Sequence, residues 1–228
     1  MEHHDDIIED DIIETPDTAE PFDAAGRLPL ERVLLPESFA TEPGLIDFCQ
    51  LFGNNLPVEV EIGSGKGTFL VQRARTRPEA NFLGIEWARA FCKYAADRMC
   101  RWGLQNVRML RADAEIVFAH RIPDNSLQRL HIYFPDPWPK SRYLRRRLIK
   151  PGFVALAHRK LRIGGQLAVV TDHMHYARQM AWVILNQPGF ATAPFPRTGE
   201  NERVGTNFER KYIAQGRQFF SLAVMKWR

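Results

Sequence analysis

The sequence predicts an α/β fold, a single doubly wound domain around an open and mostly parallel sheet. Three observations carry that expectation. From about residue 44 onward, strand-like and helix-like segments alternate, as they do where crossover helices join parallel strands. The first strand runs straight into a glycine-rich turn. An acidic residue also stands at or just beyond the end of each of five strands. Ligands of such sheets bind outside the carboxyl ends of the strands, so the pattern marks a site as well as a fold.

Residues 58–62 make a short apolar strand, and 67–77 continue as a helix stopped by Pro78. A second strand, 81–85, is closed by Glu86. Helical spacing covers 88–102, with Gly103 placed to end the helix in a left-handed turn. A third strand, 107–110, is followed by Asp113 and another short helix. The fourth, 127–134, is broken by Pro135, Pro137 and Pro139. A helix over 150–161, the punctuating pair Gly164-Gly165 and a fifth strand over 166–171 come next. The helix over 174–186 ends at Pro188-Gly189, and the chain turns polar through 197–207. Residues 218–227 alternate, are rich in aromatic and β-branched side chains, and read as the final strand.

At 228 residues, 45% of them hydrophobic and 25% charged, the chain fits one soluble domain with a substantial core. No run approaches the roughly 20 apolar residues of a membrane span. The acidic N-terminus has neither the basic nor the apolar region of a signal peptide. Cys49, Cys92 and Cys100 form no CxxC pair and no even framework, which fits small buried thiols in a reducing, cytoplasmic setting. The net charge of +4 hides an asymmetry. Residues 1–26 hold ten acids and no Lys or Arg, a leader expected to be disordered. The expected domain, 27–228, sets all 31 basic residues against 17 acids, a balance of +14. A body that basic suits a polyanionic partner, of which phosphate backbones are the commonest. The leader could screen the basic face, or be solvated chain without a role.

The glycine turn reads Glu61-Ile62-Gly63-Ser64-Gly65-Lys66-Gly67. Alternate glycines let a ligand approach the backbone without meeting Cβ atoms. A glycine turn alone is weak evidence, because dinucleotide enzymes use a related spacing. Here a carboxylate precedes it, which would repel a pyrophosphate but could pair with a cationic amino-acid group. S-adenosyl-L-methionine carries such a group, an ammonium beside a sulfonium, and no phosphate. Glu86 then suits ribose hydroxyls, and Asp113 could accept from an adenine amino group. Taken singly, each acid also fits a helix N-cap or a solvated loop. The acids Asp136 and Asp172 follow the fourth and fifth strands.

The second constellation is Phe134-Pro135-Asp136-Pro137-Trp138-Pro139-Lys140. Three prolines stiffen the backbone and hold Asp136 at the strand tip. A rigid carboxylate beside an aromatic ring and a lysine can form a purine pocket; the alternative is a stiff loop that packs Trp138 on the sheet edge. Amino-group methyltransferases place a neutral amide here, so Asp136 points away from exocyclic amines. Lys140, Arg142, Arg145, Arg146, Arg147 and Lys150 follow and could grip phosphates. His173 and His175 could bind a metal, but no further ligand has suitable spacing. No metal is expected, and His131 and His158 are expected to be packing or surface residues.

With these motifs on the page, the chain resembles the bacterial tRNA (guanine-N7)-methyltransferases over roughly residues 57–228. The PDPWPK segment at 135–140 is the most specific piece. The EIGSGKG turn, GIE at 84–86, Asp113, TD at 171–172 and TxFE at 206–209 follow the family's order. The resemblance implies a Rossmann-like methyltransferase fold, with a mostly parallel seven-stranded sheet and helices on both faces. It implies that Glu61, Gly63, Gly65, Glu86, Asp113 and Asp136 bind S-adenosylmethionine, with Asp136 also catalytic. Lys140, Asp172, Thr206, Asn207, Phe208 and Glu209 would hold guanine or nearby tRNA, and the target would be guanine 46 of the variable loop. The chain departs from the pattern at Arg210-Lys211-Tyr212, where many members have Arg-Arg-Gly. A monomer or homodimer without an obligate protein partner or membrane contact is expected. The rival readings are a small-molecule methyltransferase, a nicotinamide-dependent oxidoreductase, which the ExGxGxG spacing disfavours, and a non-catalytic RNA-binding module.

Overall fold

Strands covered on both faces bury every side chain, and β1 (Val58–Ile62) and β2 (Asn81–Glu86) do so without exception. In the computed structural model, residues 26–196 and 204–228 are described. The acidic leader therefore lies outside the described residues, apart from Gly26. With β3 (Val107–Arg111), β4 (Leu127–Tyr133), β5 (Leu161–Thr171), β6 (Phe190–Thr192) and β7 (Phe220–Lys226), these strands form one seven-stranded sheet. The order is β3-β2-β1-β4-β5-β7-β6. The first five strands pair in parallel, and β7 runs antiparallel between β5 and β6. The order reverses between β1 and β4, which is the switch point where open sheets form their crevice.

Two apolar layers sandwich the sheet. On one face, α2 (Thr68–Thr76) and α3 (Arg89–Arg101) bury Phe69, Leu70, Ala95 and Met99. On the other, α1 (Phe48–Phe52), α4 (Ala114–His120), α5 (Pro151–Lys160) and α6 (Met174–Leu185) bury Phe52, Phe118, Phe153, Tyr176 and Met180. Local signals set the helix ends. Gly103 turns left-handed at φ 60° after α3, and Pro151 occupies the first turn of α5, where its missing N–H costs nothing. Cys92 and Cys100 are buried and Cys49 is exposed, all as free thiols. No helix among the described residues is long and apolar enough to cross a membrane.

The structure differs from the expected elements in four places. The fifth strand starts at Leu161, directly after α5, rather than at residue 166. The pair Gly164-Gly165 is therefore part of the strand and not the turn before it. A Cβ on Gly165 would stand 2.8 Å from the carbonyl oxygens of Arg162 and Leu127, so glycine permits the register shift there between β4 and β5. Three of the named helices and strands were not foreseen: the five-residue α1, the three-residue β6, and α7 (Asn207–Ala214), which begins where the polar stretch 197–207 ends.

Candidate active site

The turn after β1 is built for close approach. Gly63, Gly65 and Gly67 all take positive φ (76°, 50° and 72°), a region that costs other residues strain. A Cβ at Gly63 or Gly65 would meet nothing within 4 Å, whereas one at Gly67 would stand 2.8 Å from the Ala95 Cβ. The first two glycines thus border open space and the third allows α2 to seat on α3. Arg98 holds the turn from below: its Nη1 donates to the Lys66 carbonyl at 2.9 Å and to the Thr68 hydroxyl at 3.0 Å.

Glu61 and Glu86 line this opening. Glu61 is 3% exposed, and its Oε2 is buried without a hydrogen-bond partner. Burial, and then the neighbouring charge of Glu86, push its carboxyl up to about 8, although the Ser64 hydroxyl pulls the other way. Glu86 is tied to the backbone. Its Oε2 accepts from Gly65 N and its Oε1 from Ala88 N, both at 2.8 Å. Burial raises it above the ordinary carboxylate range, those backbone donors oppose the rise, and Asp136 adds to it. The charge of Glu86 is thus felt at Glu61, and that of Asp136 at Glu86. An orphaned carboxylate oxygen beside a glycine-lined opening fits a ligand that brings its own cation. Asp113 is exposed at the N-cap of α4, where its Oδ1 accepts from Glu115 N at 2.7 Å.

The loop after β4 is held in an unusual shape. Phe134 and Trp138, on either side of Asp136, adopt φ of 51° and 40°, a conformation uncommon outside glycine. Phe134 N donates to Val170 O at 2.8 Å. Arg147 clamps the other side, donating from Nε to Pro137 O at 2.7 Å and from Nη1 to Gln179 Oε1 at 2.5 Å. Its guanidinium lies over the Tyr176 ring, 4.6 Å from the centroid. Asp136 and Lys140 are thereby exposed at the rim of the crevice.

Arg147 requires a correction: at 1% exposure it cannot reach a phosphate, and it serves instead as the anchor of the loop. The other three basic positions stay at the surface. Arg146 lies over both Trp138 (4.9 Å) and Tyr143 (4.8 Å), and Arg142 over Tyr143 (4.7 Å). Arg145 is exposed. Lys150 pairs with Glu115 at 2.8 Å.

The chain's end closes the opposite rim. Asp172, at the tip of β5, accepts from Arg217 Nη1 at 2.7 Å. Thr206 and Glu209 form a reciprocal cap on α7. Glu209 N donates to Thr206 Oγ1 at 3.0 Å, while Glu209 Oε2 accepts from Val204 N (2.9 Å) and Gly205 N (2.7 Å). Both side chains are buried, so these atoms order the segment rather than face outward. The side chains of Asn207 and Phe208 lie outside the described residues. Tyr212, the departure from the family pattern, packs edge-on against Phe134 (5.6 Å) and so joins α7 to the Asp136 loop. Of the histidines, His173 caps α6 by accepting from Tyr176 N, His175 lies 3.3 Å from Arg147, and His158 packs against Phe190. His131 is neither packing nor surface: it is a buried polar link between Glu59 and Tyr133. Sequence reading missed it, together with Glu59, Ser64, Arg98 and Tyr133.

A sheet with β7 inserted antiparallel between β5 and β6, and acids at the tips of β1 and β2, defines a Rossmann-like methyltransferase. A solved structure of an antibiotic-related methyltransferase shares that fold with a TM-score of 0.56 at 19% identity, covering 82% of this chain and 97% of that one. Residues 55–222 match a family described as "Putative methyltransferase". The tRNA (guanine-N(7)-)-methyltransferase of Alkalilimnicola ehrlichii is 39% identical over 183 residues, 79% of this chain and 77% of that protein. The Vibrio cholerae enzyme of the same name is 42% identical over 176 residues, 75% and 73% of the two chains. The chain belongs to the tRNA (guanine-N7)-methyltransferase family.

Proposed function

We propose that the protein transfers a methyl group from S-adenosyl-L-methionine to N7 of guanine in tRNA, at position 46 of the variable loop, in the cytoplasm. The observation that carries the cofactor reading is the unpartnered, buried Glu61 Oε2 beside Gly63 and Gly65. S-adenosylmethionine supplies the methyl group as an electrophile on a sulfonium, which departs as a neutral thioether. Glu61 would hold the ammonium of its amino-acid end. Glu86, fixed by its two backbone donors, has lone pairs left for the ribose hydroxyls, and Asp113 lies where an adenine edge would reach the β3 tip. Family membership supports the substrate and the atom.

N7 of guanine already offers a lone pair, so no base need remove a proton from it. Positive charge grows on the ring as the bond forms. Asp136, on a loop braced by Arg147, meets that charge as a fixed anion, which is electrostatic preorganisation. Lys140, Asp172 and the capped segment from Thr206 to Glu209, including Asn207 and Phe208, would frame the base. Arg142, Arg145 and Arg146 would meet phosphates in a sequence-independent way. The acidic leader, 1–26, would stand apart from the catalytic domain, 27–228, and no protein partner is required. The deciding experiment is transfer of labelled methyl to unmodified tRNA, followed by nucleoside analysis. Label in 7-methylguanosine, lost when guanine 46 is replaced, is expected. Label in another nucleoside would overturn the Asp136 pocket, and cofactor binding without transfer to any tRNA would favour a small-molecule substrate.

A further inference from the structure

The end of α7 carries a cation onto Asp172. Gly216 turns left-handed at φ 66°, its N–H donates to Ile213 O at 2.9 Å, and Arg217 N donates to Tyr212 O at 3.0 Å. This pairing is a glycine-directed helix stop, which folds the residue after the glycine back over the last turn. Here it seats Arg217 on Tyr212, with the guanidinium 4.3 Å from the ring centroid. The helix stop alone does not require the further bond from Arg217 Nη1 to Asp172 Oδ2, 2.7 Å long and 45 positions back in the chain.

Asp172 and the Asp136 loop leave the sheet from adjacent strands, since β4 and β5 run parallel with Tyr133 opposite Val170. Tyr212 and Phe219 both pack on Phe134, at 5.6 and 5.5 Å between centroids, which ties the stacked pair to the base of that loop. The Asp172 side chain is 19% exposed and that of Arg217 is 49% exposed. The arginine is thus the outer partner of the two, and the one that can leave.

A flat group stacked on an aromatic ring, with N–H turned to a carboxylate, has the form of a bound base. Unpaired bases are held in this way, stacked on aromatic rings and hydrogen-bonded along one edge. Guanine carries N1–H and the 2-amino group side by side on one edge, whereas adenine has no hydrogen at N1. N7 lies across the ring from those donors, so a guanine held by Asp172 keeps N7 clear for the methyl group.

We propose that Arg217, seated on Tyr212, fills the guanine seat of the tRNA-free protein, and that guanine displaces it by stacking on Tyr212 and presenting N1–H and the 2-amino group to Asp172. The inference rests on the functional reading above and adds to it the edge of the base that is recognised. Release of Arg217 is easy, because an exposed ion pair is worth no more than about fivefold in an equilibrium.

The test is binding of two tRNAs that differ only at position 46, guanine or adenine, to the full-length protein. S-adenosylhomocysteine is present, so that no methyl moves. The readout is the ratio of the two dissociation constants, in which any general effect of the Arg217 charge on tRNA cancels. Arg217→Ala should widen the preference for guanine by about threefold, because only guanine has to displace the arginine. Asp172→Ala should remove most of the preference, and adding Arg217→Ala to it should change the ratio no further. An arginine that serves only phosphates, or only the fold, predicts an unchanged ratio. That result, or the same widening in the Asp172→Ala background, overturns the proposal. Inosine at position 46 lacks the 2-amino group and should bind between the other two; inosine as tight as guanine also overturns it. A parent protein that transfers no methyl to guanine 46 would instead sink the functional reading, whereas transfer with an unchanged ratio sinks this inference alone.

Discussion

Glu61→Gln isolates the largest electrostatic effect in the site. In the free protein, burial and then Glu86 raise this carboxyl from 4.5 to about 8, so it is protonated at neutral pH. That displacement corresponds to roughly 5 kcal/mol against the ionised form. An ammonium docked on the orphaned oxygen reverses the preference, so binding must expel the proton. The bound state then holds fewer protons than the free state, and affinity must rise with pH. Between pH 6 and 7.5 the gain should be close to tenfold per unit, levelling off near 8. The ligand's own amino group titrates at about 7.7–8.0, so the slope is read below pH 7.5. Calorimetry at pH 6.5 in two buffers of different ionisation enthalpy should report nearly one proton released per cofactor bound. Glu61→Gln should release none, and its deficit in affinity should widen as pH rises. A dissociation constant that stays flat between pH 6 and 7.5, without proton exchange, refutes the reasoning.

Four further substitutions separate roles that the sequence runs together. Asp136→Asn should lower turnover by about 100-fold or more while the cofactor's dissociation constant moves only a few-fold; near-normal turnover would remove Asp136 from the reaction. Arg147→Ala should destabilise the fold by about 2–4 kcal/mol, because it strips the anchor from the Asp136 loop. Arg145→Ala should leave the melting temperature alone and lower the slope of log affinity for tRNA against log salt by about 1. Equal melting temperatures for the two arginine variants would contradict the burial of Arg147. Glu59 is depressed from 4.5 to about 2, so its stabilisation is fully present above 4.5 and disappears as pH falls from there towards 2. Denaturation across that window should show roughly 3 kcal/mol of loss that Glu59→Gln lacks.

How legible each feature was depends on whether its cause is local. Glycine at 63, 65 and 67 and proline at 135, 137 and 139 dictate backbone shape by themselves, so the turn and the rigid loop could be read directly. The strand-end acids were visible because β1 to β5 follow simple apolar runs. By contrast, α7 begins with a cap in which Glu209 reaches back to Val204 and Gly205, and it offers little apolar periodicity. Arg147 looks the same as Arg145 and Arg146 in the sequence; only the ring of Tyr176, 29 positions along, and the Pro137 carbonyl set it apart. The link from Glu59 through His131 to Tyr133 spans 74 positions, and no local pattern announces it.

Two glutamates in one strand show why those distant partners matter most. Glu59 and Glu61 stand two residues apart, on one face of β1, at 0% and 3% exposure. Burial alone would push both carboxyls up. His131, and after it Arg73 and Arg129, reverse the push at Glu59, whereas Glu61 has Glu86 as its charged neighbour and keeps one oxygen unsatisfied. The two therefore bend stability with pH in opposite directions. The contribution of Glu59 fails below 4.5, and Glu61 costs the free fold increasingly as pH rises from 4.5 to about 8. A buried carboxylate without a partner is expensive, and nothing in the packing of the core requires one at position 61. A ligand that brings its own positive charge relieves that cost when it binds. The fold therefore places its cation-accepting carboxylate where only such a ligand satisfies it, beside a twin whose needs the chain meets by itself.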